Sequence, residues 1–288
     1  MEVSTQPAAY RRGEEPQRAS LLGRLANGFV DPVRAALEEA GRIAGFGASA
    51  ITEIRGTLRY TSEILRQIGI LITSSALVLI GMQFVFGLTC GNESVYVLRG
   101  YGASSYEGVF AAICPLREAT PFMFAYMIGA KIGCGYVAEL GSMRISDEID
   151  ALETLGINSM RYLVSTRLLA NILISAPIFV IGLAVFFLGE EFVILVQIHD
   201  ISKVTFTSVL WEFTNAKSIL FSYTKTLVMW MSIVISSLYY GYRARGGPVG
   251  VGAATARSMM VALILTMVLN EGLTYFFWGV NPSIPVGG

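Results

Sequence analysis

Five apolar runs of about twenty residues most restrict how this chain can fold. A transmembrane helix needs about 20 consecutive, mostly apolar residues, and Ile68–Leu88 meets this requirement without a charge. The other four runs are Ala119–Leu140, Leu168–Leu188, Leu220–Tyr240 and Met259–Trp278. Phe192–Ile198 is apolar but too short to cross, so we expect it to extend the third helix or to rest at the surface. The runs predict an all-α integral membrane protein with five transmembrane helices.

The composition agrees with a membrane setting and excludes several other classes of protein. Of the 288 residues, 53% are hydrophobic and 15% are charged, and the mean hydropathy is +0.58. A formal net charge of zero leaves no electrostatic footprint for nucleic acid. The single histidine, His199, and the three cysteines do not form a metal-binding pattern or the framework of a secreted disulfide scaffold. We therefore expect no nucleic-acid partner, no metal and no cofactor in this chain.

The distribution of Lys and Arg predicts the orientation in the membrane. Cytoplasmic loops carry an excess of these residues. With the N-terminus inside, the inner segments contain the arginines from Arg11 to Arg66 together with Arg144, Arg161, Arg167, Arg243, Arg245 and Arg257. The outer loops keep only Arg99, Arg117, Lys203 and Lys217. Five spans then place the N-terminus in the cytoplasm and the C-terminus outside.

The chain before the first span divides into two parts. Residues 1–20 are polar and lack the apolar stretch of a signal peptide, so we interpret them as a flexible cytoplasmic tail. Residues 21–60 are too charged to cross the bilayer, and a helical pattern begins at Asp31 with Pro32 at the first helical position. We interpret 21–60 as an interfacial amphipathic helix region. A helix packed on protein explains the same pattern equally well. Residues 61–288 form the membrane domain.

The loop between the second and third spans, Glu139–Arg167, carries its own short helix at about 146–155. Ser146 or Asp147 can cap its start, and Gly156 suits a left-handed residue at its end. Its apolar residues, Ile149, Leu152 and Leu155, fall near one face, and its acidic residues, Asp147, Asp150 and Glu153, fall opposite. Glu148 adds to the acidic first turn. Such a helix is suited to contact a protein outside the membrane.

Polar residues inside the predicted spans need a partner or a water-filled cavity, because an ionisable group is costly in hydrocarbon. Lys225 and Glu271 lie at similar depth in the last two spans, with Asn270 beside Glu271, so we expect Lys225 and Glu271 to pair. Lys131 has no partner at its own depth, so it either lines a cavity or reaches another subunit. Gly129 and Gly133 form a GxxxG motif, which permits close approach of two helices, including those of a dimer.

The remaining motifs point away from an enzyme. The second inner loop, Gly241–Gly252, is rich in glycine but lacks GxxxxGK[ST], so we interpret it as a tight turn. Cys90 and Cys114 bracket the first outer loop and are the candidates for a disulfide, with free buried thiols as the alternative. Neither a nucleophile–base set nor a paired-carboxylate cleft can be assembled.

Two motifs resemble a known family. Residues 138–157, AELGSMRISDEIDALETLGI, and 162–167, YLVSTR, are similar to the signature of the MlaE/YrbE permeases. The sequence YRARGGPVGVG at 242–252 resembles the second cytoplasmic loop of that family. The resemblance extends from about Leu21 to the end of the chain, and the wording of both motifs leans towards the actinobacterial YrbE type.

The resemblance implies the permease subunit of an ABC-type lipid transporter in the plasma (inner) membrane that works with MCE proteins. It implies a second permease protomer, identical or paralogous, and a cytoplasmic ATPase dimer that binds ATP and Mg²⁺. The loop helix resembles a coupling helix, on which Asp147, Glu148, Asp150, Leu152 and Glu153 would contact the ATPase. Arg144 and Arg167 would orient that helix. By family analogy the direction of transport is import, and the resemblance does not specify the lipid.

Two other classes of function fit parts of the sequence. A secondary transporter needs ion-coupling carboxylates near the midplane, and Glu271 is the one candidate that the spans offer. A scaffold that only anchors MCE proteins would tolerate loss of the acidic loop helix without a transport defect.

Overall fold

The computed structural model describes residues 21–198 and 201–279, and these residues form helices and short connections without a strand. The chain divides into two compact units, with the division between Ala44 and Gly45. The predicted tail 1–20 and His199 lie outside the described residues. The all-α class predicted from the apolar runs is confirmed.

The first unit is helical, and its helix starts earlier than predicted. Helix α1 is Leu21–Thr52, so the predicted start at Asp31 is wrong. The apolar pattern already begins with Leu21 and Leu22, and the helix continues through Pro32. Val33 and Leu37 are exposed in this unit. The interfacial placement of the helix stays a prediction.

The second unit begins with short helices that lead into the first long apolar helix. Helix α2 is Ile54–Thr57, α3 is Thr61–Leu71 and α4 is Leu77–Gly100, with a π-helical turn, Ile72–Ala76, joining the last two. The predicted outer loop after Leu88 is therefore largely helical. Its apolar residues Val95 and Ala111 belong to one buried cluster with Ile194 and Phe206 from a later part of the chain.

The next stretch of chain is helical from Glu107 to Ile145 and contains the second predicted span. It consists of α5 Glu107–Ile113, α6 Thr120–Met127 and α7 Cys134–Ile145, linked by π-helical turns. This stretch lies inside the bundle, where it packs against the last two long helices. Phe124, Ile128 and Leu140 have no exposed surface.

The remaining elements complete the bundle. They are α8 Glu148–Thr154, α9 Thr166–Glu191, α10 Lys203–Phe213, α11 Ala216–Tyr242 and α12 Gly247–Trp278. The segment Phe192–Ile198 continues α9 as a π-helical turn, which is the first of the two placements predicted for it. Helix α4 packs along α9, and α11 packs along α12 and α7.

Four helical stretches are long and apolar enough to cross a membrane: Ile54–Gly100, Met160–Val196, Ala216–Tyr242 and Gly247–Trp278. They contain four of the five predicted spans. The span at Ala119–Leu140 is helical but is not among the four, since Lys131 and several glycines lower its hydropathy. A helix enclosed by others needs less apolar surface than one facing lipid. The count of five and the sides of the termini stay predictions.

The GxxxG motif packs within the chain. A Cβ on Gly129 would lie 3.2 Å from Cβ of Ala262 in α12. A Cβ on Gly133 would lie 2.6 Å from Oγ of Ser237 in α11. Both glycines therefore allow close approach of neighbouring helices in the same chain, and the motif is occupied before any second protomer is added.

Candidate functional site

The loop helix α8 is held between two left-handed residues. Asp147 occupies the N-cap position with φ of 57°, but its side chain makes no capping hydrogen bond. Gly156 follows the helix with φ of 77°, as predicted from its sequence position. At the end of the helix, the amide of Ile157 donates to the carbonyl of Leu152 at 3.0 Å. The chain thus makes a compact protrusion with a defined start and stop.

Side-chain contacts tie α8 to the helices on either side. Nη1 of Arg144 donates to Oδ1 of Asp150 at 2.6 Å, which links the end of α7 to α8. Oε1 of Glu153 accepts a hydrogen bond from Oγ of Ser159 at 2.6 Å, and Oγ of Ser159 lies 2.7 Å from the hydroxyl of Tyr242. Arg144 therefore contacts the helix that it was predicted to orient.

The apolar residues of α8 do not share one role. Ile149 has no exposed surface, whereas Leu155 is 76% exposed and Leu152 is half-buried. Asp147 and Glu148 are exposed beside them. The single apolar stripe predicted from helical spacing is therefore divided, because Ile149 anchors α8 to the bundle and Leu155 remains available for a partner.

The glycine-rich loop between α11 and α12 lies against the same region. Gly246 and Gly247 have φ of 89° and 68°. A Cβ on Gly250 would lie only 1.7 Å from the carbonyl oxygen of Arg245, so the turn requires glycine there. The structure thus contains the tight turn that the sequence predicts. A groove lies between this turn and α8 and is lined by Arg144, Ile145, Asp147, Asp150, Ala244, Arg245, Gly246 and Gly247.

Arg167 does not contact α8 and instead joins the start of α9 to α7. It is 1% exposed. Its Nη2 donates to Oε1 of Glu139 at 2.6 Å, and its Nη1 donates to the carbonyl of Leu163 at 2.8 Å. The prediction that Arg167 orients the loop helix is therefore wrong as far as direct contact goes. Its charge is used to hold α7 against α9.

The predicted ion pair between Lys225 and Glu271 is also wrong, because Lys225 pairs with Glu118 instead. Nζ of Lys225 lies 3.3 Å from Oε2 of Glu118, and it donates to the carbonyl of Arg117 at 2.6 Å. Glu271 is exposed. Residues four apart on α12 share a face, and Asn270 and Thr274 are the pair that turns inward, which directs Glu271 away from Lys225.

Asn270 and Thr274 complete the buried network around Lys225. Oγ1 of Thr274 accepts from Lys225 and donates to Oε1 of Glu118 at 2.6 Å, and Nδ2 of Asn270 donates to the same carboxylate. Lys225 has no exposed surface, whereas the side chain of Glu118 is 44% exposed. Sequence reasoning missed Glu118 because it precedes the apolar run and was counted with the outer loop.

Lys131 lies on the outside of this chain. Its side chain is exposed, although it sits in the middle of the predicted second span. Within the described residues, no carboxylate forms an ion pair with it.

The predicted pair of cysteines is joined. Cys90 and Cys114 form a disulfide, and Cys134 is free.

Residues 64–276 match the model of the family described as Permease MlaE. The chain belongs to the MlaE permease family. A probable ABC transporter permease protein of Rickettsia bellii is similar, with 26% identity over 260 residues that cover 90% of this chain and 100% of the relative. A probable ABC transporter permease of Synechocystis is 28% identical over 76% of this chain and 82% of the relative.

A further relative comes from a plant. The chloroplastic protein TRIGALACTOSYLDIACYLGLYCEROL 1 of Arabidopsis thaliana is 24% identical over 76% of this chain and 60% of the relative. Together with the apolar helices, the family establishes a multi-pass membrane protein that is a permease subunit of an ABC-type transporter. The actinobacterial YrbE type stays a prediction.

Proposed function

We propose that this chain is the permease of an ATP-driven lipid transporter that works with MCE proteins in the plasma membrane and imports lipid. ATP is hydrolysed in a separate cytoplasmic subunit, which docks on α8 and the glycine-rich turn. The MCE partner and the direction of transport rest on the family resemblance. The observation that carries the proposal is an exposed acidic helix braced on both sides by side-chain contacts to the membrane helices.

The bracing of α8 is what a coupling element requires. Asp150 is tied to Arg144 of α7, and Glu153 is tied through Ser159 to Tyr242 at the end of α11. A push on the exposed Glu148 and Leu155 would therefore reach α7 and α11 directly. A flexible loop would absorb the same movement without transmitting it.

A mainly polar cavity at the other end of the helices fits the head group of an amphiphilic cargo. It has a volume of about 460 Å³ and is lined by Ala112, Ile113, Leu116, Arg117, Glu212, Phe213, Asn215, Lys217, Ser218, Phe221, Phe277 and Trp278. The Arg117 guanidinium lies 5.9 Å from the ring centre of Trp278, and the Lys217 ammonium lies 5.3 Å from that of Phe221. Cations beside aromatic rings suit an amphiphile with an anionic head group.

The position of Lys131 supports a second permease protomer. A lysine at mid-membrane depth is costly against lipid, so it faces protein or water. In this chain it faces outward. A partner subunit, or a cavity between two subunits, would provide the missing polar surroundings.

Co-purification with subunit-resolved mass analysis tests the proposal. We compare the intact chain with the double variant Glu148→Arg plus Asp150→Arg. The matched control is Asp31→Arg plus Glu38→Arg, which makes the same charge change at exposed sites of α1 that belong neither to α8 nor to the cavity lining. We expect the first variant to lose the ATPase and to keep the second permease and the MCE proteins. The control should keep all of them.

Two outcomes contradict the proposal in different ways. If the intact chain brings down no ATPase, the ATP-driven assignment fails, and proton-dependent uptake without an ATPase would favour a secondary transporter. If the α8 variant loses the ATPase but lipid transport continues, the chain is a scaffold for MCE proteins. The lipid that elutes with the intact complex identifies the cargo.

A further inference from the structure

A buried glutamate lies beside the disulfide at the outer ends of α4 and α9. Carboxylate oxygen of Glu190 and the sulfurs of Cys90 and Cys114 all lie within 4.8 Å of one another. Glu190 has no exposed surface. Neither of its carboxylate oxygens has a hydrogen-bond partner among the described residues. The docking and transport functions discussed above use none of these three side chains.

The close crossing of α4 and α9 holds these groups together. Gly91 is buried one residue after Cys90, and a Cβ there would lie 3.2 Å from Cα of Glu190. A Cβ on Gly87 would lie 2.2 Å from the carbonyl oxygen of Phe186. The helix backbones thus touch at this point, and side-chain rearrangement cannot move the Glu190 backbone away from Cys90.

The unpartnered carboxylate is the unexplained feature of this arrangement. A buried charge is costly unless a cation or hydrogen-bond donors compensate it. A disulfide offers neither a proton nor a positive charge. Ile194, one turn after Glu190, belongs to an apolar cluster, so the surroundings do not compensate the carboxylate either. A cation held between Glu190 and two thiolates would compensate the carboxylate charge.

We propose that Cys90, Cys114 and Glu190 form a redox-gated binding site for a thiophilic divalent cation of the zinc class. The disulfide closes the site, and the dithiol opens it. Thiol–disulfide exchange with an external dithiol transfers two hydrogens to the two sulfurs and leaves that dithiol as a disulfide. Binding of the cation then releases the two thiol protons, and Glu190 supplies the third ligand.

The geometry fits such a site once the sulfurs are reduced. Zn–S bonds of about 2.3 Å and Zn–O bonds of about 2.0 Å make the edges of a tetrahedron about 3.8 Å for S–S and 3.5 Å for S–O. These edges lie within the 4.8 Å spread of the cluster. The two Cα atoms are 6.8 Å apart, so rotation of the half-buried cysteine side chains can separate the sulfurs without moving the helices. The fourth position is left for water.

Metal binding to the purified full-length chain tests the proposal. The protein is reduced with dithiothreitol, desalted without oxygen and incubated with Zn²⁺ or Co²⁺. Thiol labelling counts the reduced cysteines, elemental analysis counts zinc, and visible absorption reports tetrahedral Co²⁺ with thiolate ligands. We expect one zinc per reduced chain and none per oxidised chain. The variant Glu190→Gln should bind zinc about tenfold more weakly or worse, since even loss of an outer-shell partner has that effect.

The third cysteine provides the matched control. Cys134→Ser should bind zinc like the unmodified chain, whereas Cys90→Ser and Cys114→Ser should each lose the cobalt spectrum. The proposal is overturned if the reduced chain binds no more zinc than Cys90→Ser plus Cys114→Ser, or if Cys134→Ser removes binding. It is also overturned if the folded protein cannot be reduced, because the disulfide is then purely structural.

Discussion

A lysine without exposed surface is stable inside this bundle because its three N–H donors meet three acceptors. They are the carbonyl of Arg117, the carboxylate of Glu118 and the hydroxyl of Thr274. The two charged partners differ in exposure, since Lys225 is 0% exposed and the Glu118 side chain is 44% exposed. Loss of one partner therefore should not cost the same as loss of the other.

We expect Glu118→Gln to lower the free energy of unfolding by about 3 kcal/mol, because it leaves a buried ammonium without its counter-charge. Lys225→Met should lower the free energy of unfolding by less, since the unpaired Glu118 side chain is partly exposed and is not left as a buried charge. The double variant should be more stable than Glu118→Gln alone. Thermal unfolding of the purified chain measures all three. The coupling between the two residues is contradicted if the two single variants lose the same free energy of unfolding and the double variant loses the sum of both.

At the scale of single elements, the sharp turn before α12 and the start of α8 determine the shape of the predicted cytoplasmic face. Both use backbone conformations that most residues avoid. The turn depends on Gly250, which touches the carbonyl of Arg245, and α8 begins at Asp147 with a positive φ. The exposed acidic helix and the basic turn share one groove as a result.

We expect Gly250→Ala to cost about 1–3 kcal/mol of stability, because the added methyl group overlaps the backbone at Arg245. The matched control is Gly252→Ala, where a Cβ meets nothing within 4 Å. That change should be neutral or stabilising by up to about 1 kcal/mol, since alanine favours the helix. Thermal unfolding and ATPase co-purification distinguish the two variants. A harmless Gly250→Ala would refute the tight turn.

At the start of α8, in contrast to Gly250, a substitution should stabilise the protein. Asp147→Gly should stabilise the protein by about 1 kcal/mol, because a left-handed conformation costs an L-residue 1–2 kcal/mol and costs glycine little. Asp147→Val should destabilise it, since a β-branched side chain fits this conformation poorly. Hydrogen exchange across 148–154 measures both effects locally. Faster exchange in the glycine variant than in the parent would show that the aspartate side chain stabilises the helix.

At the scale of the whole molecule, the long helices place α8 and the disulfide at opposite ends of the bundle in the predicted orientation. An odd number of spans puts the chain termini on opposite sides of the membrane, and an even number puts them on one side. The helix 107–145 decides between these cases, because it packs against α11 and α12 but is not among the four stretches that are apolar enough to cross a membrane.

Labelling with a membrane-impermeant maleimide tests this topology. In a Cys134→Ser background, we expect Ser105→Cys to react in intact cells and Ser146→Cys to react only after permeabilisation. Both positions are exposed. Tags at the two termini should likewise differ in accessibility. Reaction of Ser146→Cys from outside would invert the orientation predicted from Lys and Arg.

The sequence alone determined the membrane class, four of the long apolar helices, the loop helix and the family to which the chain belongs. These features depend on residues close in the chain: an apolar run sets a span, and a capping position with a later glycine sets a short helix. The resemblance rests on two motifs that lie within those same loops. For that reason the left-handed residue at Gly156 and the glycine turn near Gly250 are where the sequence predicts them.

Only the tertiary structure decided which side chains meet. Lys225 meets Glu118 across 107 positions of sequence, and Arg167 meets Glu139 of α7. Glu190 reaches the cysteine pair because α4 and α9 cross at glycines far apart in the chain. Residue spacing gives depth and helix face only approximately, and which of several faces turns inward depends on packing. Tertiary packing selects the partner because a buried charge must find a counter-charge on whichever helix lies beside it.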